Sequence, residues 1–167
     1  MPTQSTIDIL KEAILLERRG QAFYHKVAGQ TTNPAVREFF ETMAQEEIRH
    51  VDILESQFAS YVQNQQFLPI APEDKENKPV APLVLSQEVK LQIANADFEA
   101  AAISAAMLLE ERAVALYSQR AEAAQDPAEE TLYQWLADWE RGHLSFLARL
   151  DHEIKEAIWN DNNFWPF

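Results

Sequence analysis

Leu15-Leu16-Glu17-Arg18-Arg19-Gly20-Gln21-Ala22-Phe23-Tyr24 returns 93 residues later as Leu108-Leu109-Glu110-Glu111-Arg112-Ala113-Val114-Ala115-Leu116-Tyr117. The same offset carries Pro34 onto Pro127, Ala44 onto Ala137, Glu47 onto Glu140, His50 onto His143 and Leu54 onto Leu147, without insertion. A register kept over this distance marks an internal duplication, one helix pair written twice. Two similar antiparallel pairs packed about a pseudo-twofold axis bring equivalent side chains from four helices to one centre.

Working outward from the repeat, apolar residues Ile7, Leu10, Ile14, Leu15, Ala22 and Phe23 recur at helical spacing, and Ser5-Thr6-Ile7-Asp8 resembles a capping box using Asp. Asn33-Pro34 and Asp126-Pro127 each give an N-cap followed by proline at the first helical position. These signals predict long helices over residues 5–29, 34–65, 97–124 and 127–159, with a short one over 87–93. Residues 66–86 contain Pro69, Pro72, Pro79 and Pro82 and the polar run Glu73-Asp74-Lys75-Glu76-Asn77-Lys78, so they read as a long crossover unable to continue a helix. Residues 160–167 read as an irregular tail, its Phe164-Trp165-Pro166-Phe167 either folding back over the bundle or docking on a partner subunit. The expectation is a single all-α domain over 1–167, a four-helix bundle of two antiparallel hairpins joined by one long crossover.

Composition agrees. The 167 residues are 47% apolar with only three Gly, which favours helix and suits one continuous core. A net charge of −13 without a local basic patch argues against nucleic acid or anionic lipid as partner. The chain has no Cys, which removes disulfides, thiolate metal sites and thiol nucleophiles. No stretch approaches the roughly 18 apolar residues of a membrane span, and the N-terminus lacks a basic region leading into an apolar one. A cytoplasmic protein is expected.

Six residues are singled out as metal ligands: Glu17, Glu47, His50, Glu110, Glu140 and His143. Within each Glu-x-x-His the two side chains leave one helical face. A lone Glu-x-x-His is weak evidence, but two copies at equivalent repeat positions, each with a Glu 30 residues upstream, match a carboxylate-bridged dimetal template. Buried carboxylates facing one another demand cations or protons. Four carboxylates balance two divalent ions, and neutral imidazoles complete the shell. Oxygen and nitrogen donors with exchangeable positions suit iron, with manganese or zinc as substitutes.

Neighbouring groups are set aside. Glu46 aligns with Trp139 and Glu111 with Arg18, so both are expected on outer or flanking faces without a role. His25 and His152 are expected at the surface, and Trp135, Trp139, Phe39, Phe40 and Phe146 in the core. Tyr24 and Tyr117 lie two turns after Glu17 and Glu110, where a hydrogen bond to a ligand and plain core packing are equally open.

The quoted stretch, together with Glu46-Glu47-Ile48-Arg49-His50 and its counterpart, resembles the di-iron domain of the rubrerythrin family in the ferritin-like superfamily, over residues 5–158. That resemblance implies that the six residues ligate two irons, the Glu-x-x-His glutamates bridging. It also implies an oxidoreductase that reduces peroxide or dioxygen or oxidises ferrous iron, with oxidative stress as its setting. A homodimer or larger homo-oligomer is expected. Two departures stand out. Ala113 occupies a position where many rubrerythrins carry a further Glu, and the absence of Cys removes a rubredoxin-type iron site, so electrons come from a separate donor or from ferrous iron itself. The alternatives are an iron-binding protein for storage or transfer with ferroxidase activity, and a metal-free scaffold.

Overall fold

The Ser5 hydroxyl accepts the Asp8 backbone N–H at 3.2 Å and donates to the Asp8 carboxylate at 2.7 Å, which starts helix α1 (Thr6–Gln30). Asn33 Oδ1 accepts the backbone N–H groups of Ala35 and Val36, and Pro34 opens α2 (Pro34–Asn64). The short loop between them turns the chain back, so α1 and α2 pack as a hairpin. Helix α2 ends at Gln65, which takes a left-handed conformation at φ 54°. After a one-turn helix α3 (Pro72–Glu76) and the short α4 (Gln87–Ala94), the second hairpin follows as α5 (Asp97–Ala123) and α6 (Pro127–Asn160), with Asp126 capping the latter. This computed structural model describes residues 4–76, 87–94 and 97–160. Among them there is no strand, and no helix is long and apolar enough to cross a membrane.

An all-α four-helix bundle is therefore what forms. The crossover needs one correction: Pro72 to Glu76 is helical, not a break. Proline suits the first helical position, where its missing N–H has no intrahelical partner, and Glu73 and Asp74 favour the positive end of the helix dipole. The crossover is also strapped down at its start. Gln57 exchanges two hydrogen bonds with the Leu68 backbone, Phe67 and Ile70 are buried, and Arg49 pairs with Asp74. The readings of residues 77–86 and of 161–167, including the tail's fold-back, lie outside the described residues.

The core consists of two apolar clusters rather than one. The first contains Tyr24, Val27, Phe39, Phe40, Met43, Ile103, Ala106, Leu147, Leu150 and Ile154. The second contains Ile9, Leu10, Leu54, Ala113, Tyr117, Leu132, Tyr133 and Leu136. On every long helix the two clusters flank the same layer: Glu17 on α1, Glu47 and His50 on α2, Glu110 on α5, Glu140 and His143 on α6. The duplicated polar residues thus form the waist of the bundle.

Each cluster stabilises its own end, so a truncation in either should cost what a rigid core costs. Leu136→Ala and Leu147→Ala, both at fully buried positions, are each expected to lower stability by about 2–5 kcal/mol in urea titrations.

Candidate metal centre

Helical spacing places the six residues. On α1 the buried stripe runs Leu10, Ala13, Glu17, Gly20, Tyr24, Val27, and on α5 it runs Ile103, Ala106, Glu110, Ala113, Tyr117, Ala121. Each Glu lies between small residues, Ala13 and Gly20 or Ala106 and Ala113. A Cβ on Gly20 would sit 3.4 Å from the Glu47 carboxylate, so the bare backbone there leaves room for that side chain. The leucine pairs preceding Glu17 and Glu110 are not what bury them: Leu15 and Leu108 are more than half exposed. The duplication brings all six residues into one buried layer.

None of the six is more than 3% exposed. Their donor atoms fall into two groups within 4.8 Å: Glu17, Glu47, His50 and Glu140, and Glu47, Glu110, Glu140 and His143. His50 Nδ1 lies 2.8 Å from Glu140 Oε1 and 3.2 Å from Glu17 Oε2. His143 Nδ1 lies 3.1 Å from Glu140 Oε2, 3.5 Å from Glu47 Oε1 and 3.6 Å from Glu110 Oε1. Both imidazoles thus face the carboxylates through Nδ1, and Glu47 and Glu140 belong to both groups. Glu47 Oε1 is buried without a hydrogen-bond partner among the described residues. A buried carboxylate oxygen left unbonded is what a cation would satisfy, so the donor set fits a pair of metal ions.

The tyrosines cross between the hairpins. Tyr24 of α1 donates to Glu110 Oε1 of α5, and Tyr117 of α5 donates to Glu17 Oε1 of α1. Both alternatives left open by the sequence hold at once, because the two rings also belong to the apolar clusters. Burial first, then the facing carboxylates, pushes both phenols well above their ordinary value of 10.0, so they act as donors.

Glu46 corrects the sequence expectation of an outer face. It is buried, Trp139 Nε1 donates to its Oε2 at 3.1 Å, and the same oxygen pairs with His143 Nε2. Its alignment with Trp139 had seemed to disqualify it. In a duplicated bundle, however, equivalent positions near the pseudo-twofold axis face one another, and Glu46 and Trp139 are 93 residues apart, the repeat offset itself. A repeat position occupied by unlike residues was the available signal. Glu111, His25 and His152 are exposed as expected.

For the polypeptide alone, the cluster offsets its charge by retaining protons. Burial, then the charge of Glu140, raises Glu110 to about 8, and burial with Glu140 and Glu17 raises Glu47 well above 4.5. Burial opposes charging His50, but Glu140 and Glu17 outweigh it and hold the imidazole up to about 10. His143 is raised in the same way by Glu110, Glu140 and Glu46. Glu140 remains ionised: burial pushes it up, yet the charge of His50 and hydrogen bonds from both histidines carry it well below 4.5.

Known proteins can be set beside this geometry. A family model described as Rubrerythrin matches residues 8–151. A solved structure of a hypothetical protein from Pyrococcus furiosus superposes with a TM-score of 0.66 at 24% identity, covering 91% of each chain, which supports the fold. No curated protein matches.

Proton retention sets a pH dependence. His50, at about 10 against an ordinary 6.5, contributes stability that is complete below pH 6.5 and lost as pH rises through 10. Glu110, at about 8 against 4.5, keeps in the fold a proton that the unfolded chain releases, so stability falls across that interval too. Glu140 is depressed, and its contribution, lost only as pH falls, is constant here. The thermal midpoint of metal-stripped protein, followed by circular dichroism, should therefore fall between about pH 6.5 and about pH 9. Ferrous or manganous ion should abolish the fall, since the cation replaces those protons.

Proposed function

The chain belongs to the rubrerythrin family, and on that premise we propose that it is a ferritin-like di-iron oxidoreductase that reduces peroxide or dioxygen with oxidation of ferrous iron. The observation that carries this reading is the pair of buried Glu/His groups sharing Glu47 and Glu140. In it, Glu17 and His50 would hold one iron and Glu110 and His143 the other, with Glu47 and Glu140 common to both groups. Nitrogen and oxygen donors from a chain without Cys suit iron, with manganese or zinc able to substitute. Iron held there would supply the electrons for the reduction.

The chain's own part is positioning and electrostatics. Four carboxylates set a negative field that lowers the cost of a rise in metal charge. Tyr24 and Tyr117 tether one oxygen of Glu110 and of Glu17, so each carboxylate keeps a fixed orientation, and the other oxygen of Glu17 lies 3.2 Å from His50 Nδ1. The apolar clusters above and below the waist keep bulk water from either end. Without Cys, these residues form no iron–thiolate relay, and electrons come from a separate donor or from ferrous iron itself.

A second reading is favoured by one residue. Ala113, buried one turn after Glu110, stands where many relatives of this family carry another carboxylate. Without that ligand, ferrous iron fits the role of substrate, oxidised for storage or transfer. Size-exclusion chromatography with light scattering separates the two, a many-subunit shell favouring storage and a dimer the oxidoreductase.

Protein from iron-supplemented cells should contain about two irons per chain and show a near-ultraviolet ferric absorption that bleaches on reduction and returns with peroxide. Glu47→Ala and His143→Ala should each lower the iron content and slow the return at least about tenfold. Variants that hold the parent's iron and react at its rate would place the chemistry elsewhere.

A further inference from the structure

The duplication is broken at one place that touches the centre. On the α6 side, His143 directs Nδ1 to Glu47, Glu110 and Glu140, while its Nε2 pairs with the Glu46 carboxylate. Glu46 is itself buried and held by the Trp139 indole N–H. On the α2 side, His50 directs Nδ1 to Glu17 and Glu140, but its Nε2 meets no hydrogen-bond partner among the described residues. The ring of His50 instead stands nearly perpendicular to two indole rings, with the Trp139 centroid at 5.5 Å and that of Trp135 at 5.7 Å. The residue standing where Glu46 would have its repeat counterpart is Trp139, so one substitution in the repeat gives one histidine a carboxylate and the other an aromatic wall.

We propose that Glu46, oriented by Trp139, is a positioning residue that makes the two metal positions inequivalent, so that the position served by His143 takes up divalent metal first. The proposal rests on the dimetal reading above and adds to it which half fills first and why. An imidazole that binds metal through Nδ1 carries its ring proton on Nε2. For His143 a carboxylate is in place to accept that proton, which selects the metal-binding tautomer, fixes the ring plane and makes Nδ1 a stronger donor. For His50 the ring nitrogen Nε2 has two indole rings beside the imidazole and no acceptor among the described residues, so no hydrogen bond there selects the tautomer. Glu46 also adds a fifth carboxylate beside four, and it adds it to one side.

The clasp reaches further. The Arg49 guanidinium lies 5.8 Å over the Trp139 ring and pairs with Asp74 of α3, and Trp135 Nε1 donates to the Asp74 carbonyl at 3.3 Å. The crossover therefore braces both indoles against His50. Trp139 has a partner on each side, Glu46 at its N–H and Arg49 over its face, and so has little freedom to release Glu46.

The test is an anaerobic titration of metal-stripped, full-length protein with Co²⁺, followed by visible d–d absorption and calorimetry. Two steps are expected, the first at least about tenfold tighter. Glu46→Gln, close in size and still able to accept a hydrogen bond, should weaken the first step by about 10- to 100-fold and shift its spectrum while leaving the second step in place. Glu46→Asp should restore part of the loss. Trp139→Phe, which keeps a ring but removes the N–H, should weaken the same step by a smaller factor, and it tests the proposal separately should the Glu46 variants fold poorly. His143→Ala should delete the tight step and His50→Ala the weak one. Two equal steps in the parent protein, or a first step unmoved in affinity and spectrum by Glu46→Gln, would overturn the inequivalence and leave the dimetal reading standing. No Co²⁺ uptake at all would overturn the dimetal reading with it.

Discussion

Four carboxylates and two imidazoles occupy the waist of this bundle with almost no contact with water, and the rest of the structure is arranged around that constraint. An unpaired buried carboxylate costs several kcal/mol, and like charges in one low-dielectric site raise the cost further. The chain has two ways to meet it. It can keep protons on Glu47, Glu110 and the histidines, which turns repulsive contacts into hydrogen bonds, or it can exchange those protons for cations. The first makes a folded protein without metal tolerable; the second would offset the four carboxylates with two divalent ions. Because the same groups serve both ends, folding and metal binding draw on one set of charges.

Flanking clusters explain how such a layer is tolerated. An interruption of the core at the end of a bundle would open to solvent and relax. Here each long helix carries apolar residues on both sides of its polar position, so the helices are held together above and below the waist whatever its charge state. The crossed tyrosines add a tie at the waist itself. Tyr24 and Tyr117 each join one hairpin to a buried carboxylate on the other, so the hairpins are linked by reciprocal hydrogen bonds in addition to packing. Duplication makes such a device economical, since one tyrosine at one repeat position supplies both bonds.

Much of this was legible in the sequence because duplication turns spacing into geometry. Asn33-Pro34 and Asp126-Pro127 marked the same helix start twice, and Glu17, Glu47 and His50 with their counterparts could meet only if the halves packed about an axis. What was not legible came from tertiary contact. Leu15 and Leu108 look like core residues and are exposed, because the buried stripe runs through Ala13, Gly20, Ala106 and Ala113, small residues whose value is the space they leave. Pro72 looked like a breaker and instead starts a helical turn, because proline's effect depends on whether it stands at the first position or inside. Glu46 was dismissed for lacking an acidic counterpart, a rule that holds for residues far from the axis and fails for those beside it.

That failure bears on how duplicated metal sites diverge. Residues at equivalent positions far from a pseudo-twofold axis see separate surroundings, so a change in one copy leaves the other untouched. Beside the axis the copies are each other's surroundings, and one substitution alters both environments at once. Glu46 and Trp139 occupy such a pair: the carboxylate faces His143, the indole faces His50, and the two bond to each other. A symmetric pair of glutamates there would add two negative charges to a layer already holding four, whereas a symmetric pair of tryptophans would leave both histidines without an acceptor. The mixed pair avoids both costs, because the indole N–H partly compensates the added carboxylate. Asymmetry at this position is therefore favoured by the electrostatics of the waist itself, before any demand from the chemistry is considered.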